Sequence, residues 1–249
     1  MRLIPALLIL LAFAVPARAE DVSVLAYHRF NPAGSTGATT VSTRVFAAQM
    51  DRIAESGFTV VPLRALLDGS VLPPHAVAIT ADDGHRSVYT EMFPILRRHG
   101  FAATLFLNPP GLDHGSYLRW AEIAEMQASG LIDPEPHTTS HLNFNTERAR
   151  RTPEAFAALL RHELADPRAI LASRLGTRAD ILAWPFGIHD DALEAAAREA
   201  GYIAAFALGG RAASAGAPAF AVPRYQVYET DVGVRFDRVL AGIPRGQAK

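Results

Sequence analysis

The chain has 249 residues, 49% hydrophobic and 20% charged, with a formal net charge of −1, values of an ordinary globular protein rather than a disordered chain or a nucleic-acid scaffold. It has 0 cysteines, and Lys249 is its single lysine. Thiol nucleophiles, zinc ribbons, iron–sulfur clusters and disulfides are thereby excluded, as are a Schiff-base lysine and a phosphate-loop lysine inside the fold. Reactive groups must come from His, Asp, Glu, Ser or a bound metal.

In chain order, residues 1–19 read as an export signal, with Arg2 at the positive end, an apolar run over 3–15, a break at Pro16 and small residues at Ala17 and Ala19. That run is shorter than the roughly 20 residues of a spanning helix, so the mature chain is expected to begin at Glu20, to be exported into the periplasm or medium, and to keep no membrane span. Losing Arg2 and Arg18 from 24 basic residues leaves 22 against 25 acidic ones, a charge of −3 that favours neither nucleic acid nor anionic lipid as partner.

From residue 20 to 249 no linker, repeat or low-complexity tract divides the chain, so a single domain is expected. A short apolar run at 22–26 precedes a helix capped by Ser42 or Thr43 and stopped by Gly57. Strand-like runs follow at 58–61 and 76–80, then a helix over 87–99 with a kink expected at Pro94, and a strand over 101–107. A helix over 120–129 leads to a strand opening at Leu131. Thr152 and Pro153 signal the start of a long helix that ends near Gly176. A strand over 181–184, a helix over 190–200 and a strand over 203–207 complete the pattern. This α/β alternation predicts parallel strands with crossover helices, and the number of units favours a (β/α) barrel, complete or incomplete, over an open sheet.

Three polar groups fall where such strands end, the usual place for chemistry in a barrel. Thr80-Ala81-Asp82-Asp83-Gly84 sets two carboxylates side by side, which a cation or a raised pKa would relieve, though Asp-Asp-Gly is also an ordinary turn. His137-Thr138-Thr139-Ser140-His141 spaces two imidazoles so that one helical turn would aim both at one metal. Two His and one carboxylate form a common three-ligand set with open metal positions, leaving the second carboxylate free as a base. Ala183-Trp184-Pro185-Phe186-Gly187 forces a turn, and its aromatics could line an apolar groove wall or sit in the core.

These groups, in this order, resemble the first three motifs of the polysaccharide deacetylases of the NodB-homology type, carbohydrate esterase family 4, written T-F-D-D-G, H-[ST]-x-x-H and R-x-P-[YF]. The resemblance implies a distorted or incomplete (β/α) barrel that removes acetyl groups from a glycan. It implies Asp82 as general base, Asp83, His137 and His141 as ligands of a divalent metal, usually zinc with cobalt or nickel as alternatives, and the Phe186 N–H in the oxyanion site, with Trp184 and Pro185 beside it in the substrate groove. Two departures stand out. Ala183 replaces an Arg that orients the base, and the late Leu-x-His that supplies the acid is missing, no His following His189. The strand-terminal Tyr27-His28 resembles the exported branch acting on poly-β-1,6-N-acetylglucosamine, which implies His28 as general acid. The implied partner is an acetylated polysaccharide. A glycan-binding protein without catalysis and an O-acetyl esterase on an acetylxylan-like polymer are the alternatives.

Overall fold

The computed structural model of the chain describes residues 21–214 and 217–244, so the export signal read at 1–19 lies outside the described residues. Its elements are β1 (Ser23–Tyr27), β2 (Arg29–Asn31), β3 (Thr40–Ser42), α1 (Thr43–Glu55), β4 (Thr59–Val60), β5 (Ala76–Asp82), α2 (Phe93–His99), β6 (Ala103–Leu107), α3 (Trp120–Ala128), β7 (Ile132–Pro136), α4 (Phe144–Ala149), α5 (Pro153–Leu175), β8 (Ile181–Ala183), α6 (Asp191–Glu199), β9 (Ala204–Leu208), β10 (Val222–Gln226) and α7 (Val234–Leu240). The main sheet runs β7-β6-β5-β1-β10-β9-β8, with β4 on the first residues of β5, and its ladders are parallel. Parallel neighbours need crossover connections, which place helices on the outer face. The edge strands β7 and β8 lie side by side without a ladder between them among the described residues, so the expected (β/α) barrel is present and open along one seam.

Period-two alternation sorts the core into layers. Val24, Ala78, Phe106, Ile181, Ala183, Ala204 and Phe206 share one apolar cluster, while their strand neighbours Leu25, Ile79 and Leu105 pack with α1, α2 and α3. A third cluster sits between β8, β9 and the helices α5 and α6, and includes Leu182, Trp184, Leu164 and Leu193. Fully burying a side chain such as Leu or Phe stabilises by about 1.5–3 kcal/mol, which is how a chain without disulfides holds this shape.

Helix signals act where the residues carry them. Ser42, Thr152 and Asp190 each accept a backbone N–H of the first turn, and Gly100 and Gly176 close α2 and α5 in the left-handed region. The helix expected over 87–99 differs: residues 88–92 wind as a π turn and α2 begins at Phe93, so Pro94 sits in a first turn, where its missing N–H is tolerated. The pair β2/β3, helix α4, and the closing β10 and α7 lie beyond the sequence expectations. Among the described residues no helix is long and apolar enough to cross a membrane.

Candidate active site

Parallel strands bring their C-terminal ends to one end of the barrel, and register sets the neighbours there. Tyr27 pairs with Ala81, which places His28 beside Asp82, and Ala26 pairs with Gln226. Asp82 is the last residue of β5 and is buried. The guanidinium of Arg224, from β10, donates to both its oxygens, Nη1 to Oδ1 at 2.7 Å and Nη2 to Oδ2 at 2.8 Å, and Nη1 also reaches Thr80 Oγ1 at 3.0 Å. Burial pushes the Asp82 carboxyl up, but the charge and bonds of Arg224, with smaller contributions from His137 and His28, hold it well below the usual carboxylate range. Asp82 is therefore an anion at neutral pH, fixed in a bidentate clamp. His28 Nε2 stands 4.0 Å from Asp82 Oδ2, and Gln226 Nε2 is 3.4 Å from His28 Nδ1.

Asp83 has φ +71° and Gly84 φ +74°, a reversal just past β5, and oxygens of Asp82 and Asp83 stand 3.9 and 3.6 Å from the same nitrogen, His137 Nε2. Gly84 is required on two counts, since a Cβ there would also meet Leu107 Cδ2 at 2.9 Å. His137 directly follows β7. Its Nδ1 lies 2.8 Å from Ala183 O, and because a carbonyl only accepts, Nδ1 carries the proton and Nε2 is bare. Burial pushes the His137 imidazole below its usual value against the pull of Asp82 and Asp83, in keeping with a neutral ring. Its Nε2 is 3.6 Å from Asp83 Oδ1, and His141 Nε2 is 3.4 Å from the same oxygen.

The two histidines do not share a helical turn, as their spacing had allowed. Thr138 (φ +63°) and His141 (φ +52°) fold the segment into a tight loop. Buried Glu163 of α5 ties it down, accepting from Thr139 N at 3.1 Å and Ser140 N at 2.8 Å, while Asn108 Nδ2 donates to the carbonyls of His137 and Thr138.

The ligand atoms of Asp83, His137 and His141 all lie within 4.8 Å of one another. Asp83 Oδ1 is buried with no hydrogen-bond partner, although it faces two imidazole nitrogens. Around an ion held at about 2.0–2.2 Å, tetrahedral donors stand roughly 3.3–3.6 Å apart, close to the separations from Asp83 Oδ1. A carboxylate and two neutral imidazoles suit a divalent ion of mixed N/O preference, so the residues present fit a metal.

The third motif divides. Trp184 is not a groove wall: it is 1% exposed, its Nε1 donates to Phe220 O at 2.8 Å, and strand alternation turns it with Leu182 towards the helix layer while Ile181 and Ala183 face inward. Pro185 is also buried. Phe186 is the exposed aromatic, 56% accessible, at φ +58°, with its ring 4.7 Å from that of His141. Gly187 follows at φ +69°, where a Cβ would stand 2.7 Å from Leu208 N.

The structure brings His28, Asp82, Asp83, His137, His141 and Phe186 to one end of the barrel. Ala183 offers no guanidinium where the resemblance expects an Arg; the one that reaches Asp82 belongs to Arg224, on a different strand. Sequence reasoning missed it and also Glu163; the one available signal was an Arg framed by Val222, Pro223 and Tyr225 in a late apolar run. Of the remaining histidines, His75, His114, His162 and His189 are exposed. His99 is largely covered, stacked on Phe101 and 3.1 Å from Asp51, and His85 bonds Ser87 Oγ at 2.8 Å. Asp113 accepts the Trp120 N–H at the start of α3.

The sequence profile of the polysaccharide deacetylase family matches residues 70–205. YxkH of Bacillus subtilis (strain 168), assigned to the polysaccharide deacetylases by name only, is 28% identical over 72% of this chain and 61% of its own length. The poly-beta-1,6-N-acetyl-D-glucosamine N-deacetylase of Escherichia coli (strain K12) is 23% identical over 59% of this chain and 28% of its own. The chain thus aligns with less than two thirds of each curated relative. Among solved structures, IcaB from Ammonifex degensii superposes with a TM-score of 0.79 at 26% identity, covering 90% of this chain and 98% of that one.

Proposed function

The chain belongs to the polysaccharide deacetylase family, and we propose that it is a metal-dependent hydrolase that removes N-acetyl groups from an N-acetylglucosamine-containing polysaccharide, releasing acetate. One observation carries the reading: the partnerless Asp83 Oδ1 faces two imidazole nitrogens beside a second carboxylate that is clamped as an anion.

Asp83, His137 and His141 would hold the divalent ion, zinc by its taste for N/O donors. Bound there, it supplies Lewis acidity, polarising the acetyl carbonyl and making water acidic enough to be deprotonated near neutral pH. Asp82 takes the proton from the attacking water. Arg224 keeps that carboxylate oriented, at the cost of lowering its basicity. The Phe186 N–H, turned by the reversal at φ +58°, is assigned to the oxygen on which negative charge develops. His28 gives a proton to the departing sugar nitrogen, so that an amine leaves rather than an amide anion. Gln226 beside its Nδ1 orients the ring. The exposed Phe186 ring offers a face for a sugar.

The same reading takes residues 1–19 as an export signal and 20–249 as one catalytic domain working outside the cytoplasm. Arg224 beside Asp82, with His28 4.0 Å from the same carboxylate, supports catalysis over a glycan-binding protein without it.

The test is acetate release from poly-β-1,6-N-acetylglucosamine, chitin oligomers, peptidoglycan and acetylxylan. We expect release from an N-acetylglucosamine polymer and a loss of about 100- to 10,000-fold in Asp82→Asn, the range for a general base. Binding of polymer without acetate release would overturn the proposal.

A further inference from the structure

Where β7 and β8 meet, side chains make the rungs that a backbone ladder would otherwise make. Glu135 Oε2 accepts from Ile181 N–H at 3.0 Å, and two residues further along both strands His137 Nδ1–H donates to Ala183 O at 2.8 Å. Residues two apart on a strand point the same way, so the two rungs stand one above the other. Trp184 N–H donates to Phe206 O, which turns residue 184 towards β9 and leaves residue 183 facing the seam. A conventional ladder would occupy the Ala183 carbonyl; the open seam leaves it for the imidazole.

The lower rung is held by Arg64, in the turn after β4. Its guanidinium bonds the other Glu135 oxygen and also Asp180 Oδ1, at 2.7 Å, one residue before β8. Thr177 Oγ1 adds a bond to Pro134 O at 3.1 Å. Glu135 is fully buried. A buried ion pair is a costly device for stability alone, because desolvation offsets much of the attraction. Here it does something an apolar contact cannot: one carboxylate links the β8 backbone to an arginine that also grips the residue before β8.

We propose that Glu135 and Arg64 are positioning residues for the metal ligand His137. They set the spacing and register of β8 against β7, so that Ala183 O meets Nδ1–H and the bare Nε2 stays aimed at Asp83. The proposal rests on the reading of Asp83, His137 and His141 as metal ligands.

The test uses the full chain, stripped of metal and then titrated with zinc against a chromogenic chelator and with cobalt(II) for its visible spectrum. Wild type, Glu135→Ala, Glu135→Gln and Arg64→Gln are compared with Ile53→Val, a core change on α1 away from the seam. Metal-free protein is followed by amide exchange at Ile181. We expect Glu135→Ala to weaken zinc binding about tenfold, the lower end for changes that support a ligand, to alter the cobalt spectrum and to speed exchange at Ile181. Glu135→Gln keeps an oxygen for Ile181 N–H and should recover part of the affinity, while Ile53→Val should lose stability without losing affinity. Wild-type affinity and spectrum in Glu135→Ala overturn the proposal and leave the metal reading standing. If that variant does not fold, unchanged zinc affinity in both Glu135→Gln and Arg64→Gln overturns it instead. A wild-type chain that binds neither ion overturns the metal reading itself and this proposal with it.

Discussion

Replacing Arg224 by methionine keeps an unbranched apolar stem but removes the guanidinium, and with it the charge that Asp82 depends on. Both groups are buried, and Arg224 makes two bonds to the carboxylate and one to Thr80 Oγ1. Stranding one member of a buried pair costs about 3–5 kcal/mol; at roughly 2–4 °C per kcal/mol for a chain of this size, the melting temperature should fall by about 6–20 °C at pH 7. The pH dependence gives the sharper test. In the wild type the Asp82 carboxyl lies below its unfolded value, so its contribution is present above about pH 4 and is lost as pH falls towards the lower folded value. In the variant burial, which raises the carboxyl, is opposed only by the smaller pull of His137 and His28, so the carboxyl moves up from its wild-type position and the cost of keeping it ionised grows as pH rises from about 4 and is relieved on acidification. The deficit of Arg224→Met should therefore be largest at pH 7 and narrow towards pH 4.5, and Asp82→Asn added to it should restore stability, since a neutral amide needs no counter-charge. Urea unfolding with chelator present measures both effects. An equal deficit at the two pH values, or a double variant less stable than Arg224→Met, would refute the reasoning.

Glu163→Ala removes the acceptor of the Ser140 N–H and leaves the Thr139 N–H only the backbone carbonyl of residue 163, so it should destabilise by about 1–3 kcal/mol and weaken zinc binding, read by unfolding and chelator competition; unchanged zinc affinity would mean that the loop holds its own shape. Gly187→Ala forces a Cβ to within 2.7 Å of Leu208 N at a positive φ, and a loss of about 1–3 kcal/mol in denaturant is expected. His28→Ala should slow acetate release about 100-fold or more and remove the alkaline limb of the pH–rate profile. A near-normal rate with the bell intact would sink the acid role.

What could be read before the structure was what is local in the chain. The apolar runs of β1, β5 and β6 and the caps at Ser42, Thr152 and Asp190 express themselves over a few residues, and Asp82, Asp83, His137 and His141 declare themselves through short spacings at strand ends. Arg224 did not, because its meaning comes from a partner on β5 that only the barrel brings near. Glu163 looks like any charged residue of an Ala/Leu-rich helix until the loop it holds is seen. Trp184 was placed on the wrong side: β8 is 3 residues long, too short for its alternation to fix the inward phase, so Trp184 and Phe186 looked equally suited to a groove. The seam was also illegible, since its rungs join side chains to backbone rather than apolar run to apolar run.

The most direct test of the account is acetate release from poly-β-1,6-N-acetylglucosamine by wild-type protein before chelation, after removal of metal, and after zinc is returned. Release should be lost on chelation and restored by zinc, with Asp83→Asn and His141→Ala unrestored at the same zinc concentration. Release that persists undiminished in the metal-free protein, or that survives loss of both Asp83 and His141, would contradict it.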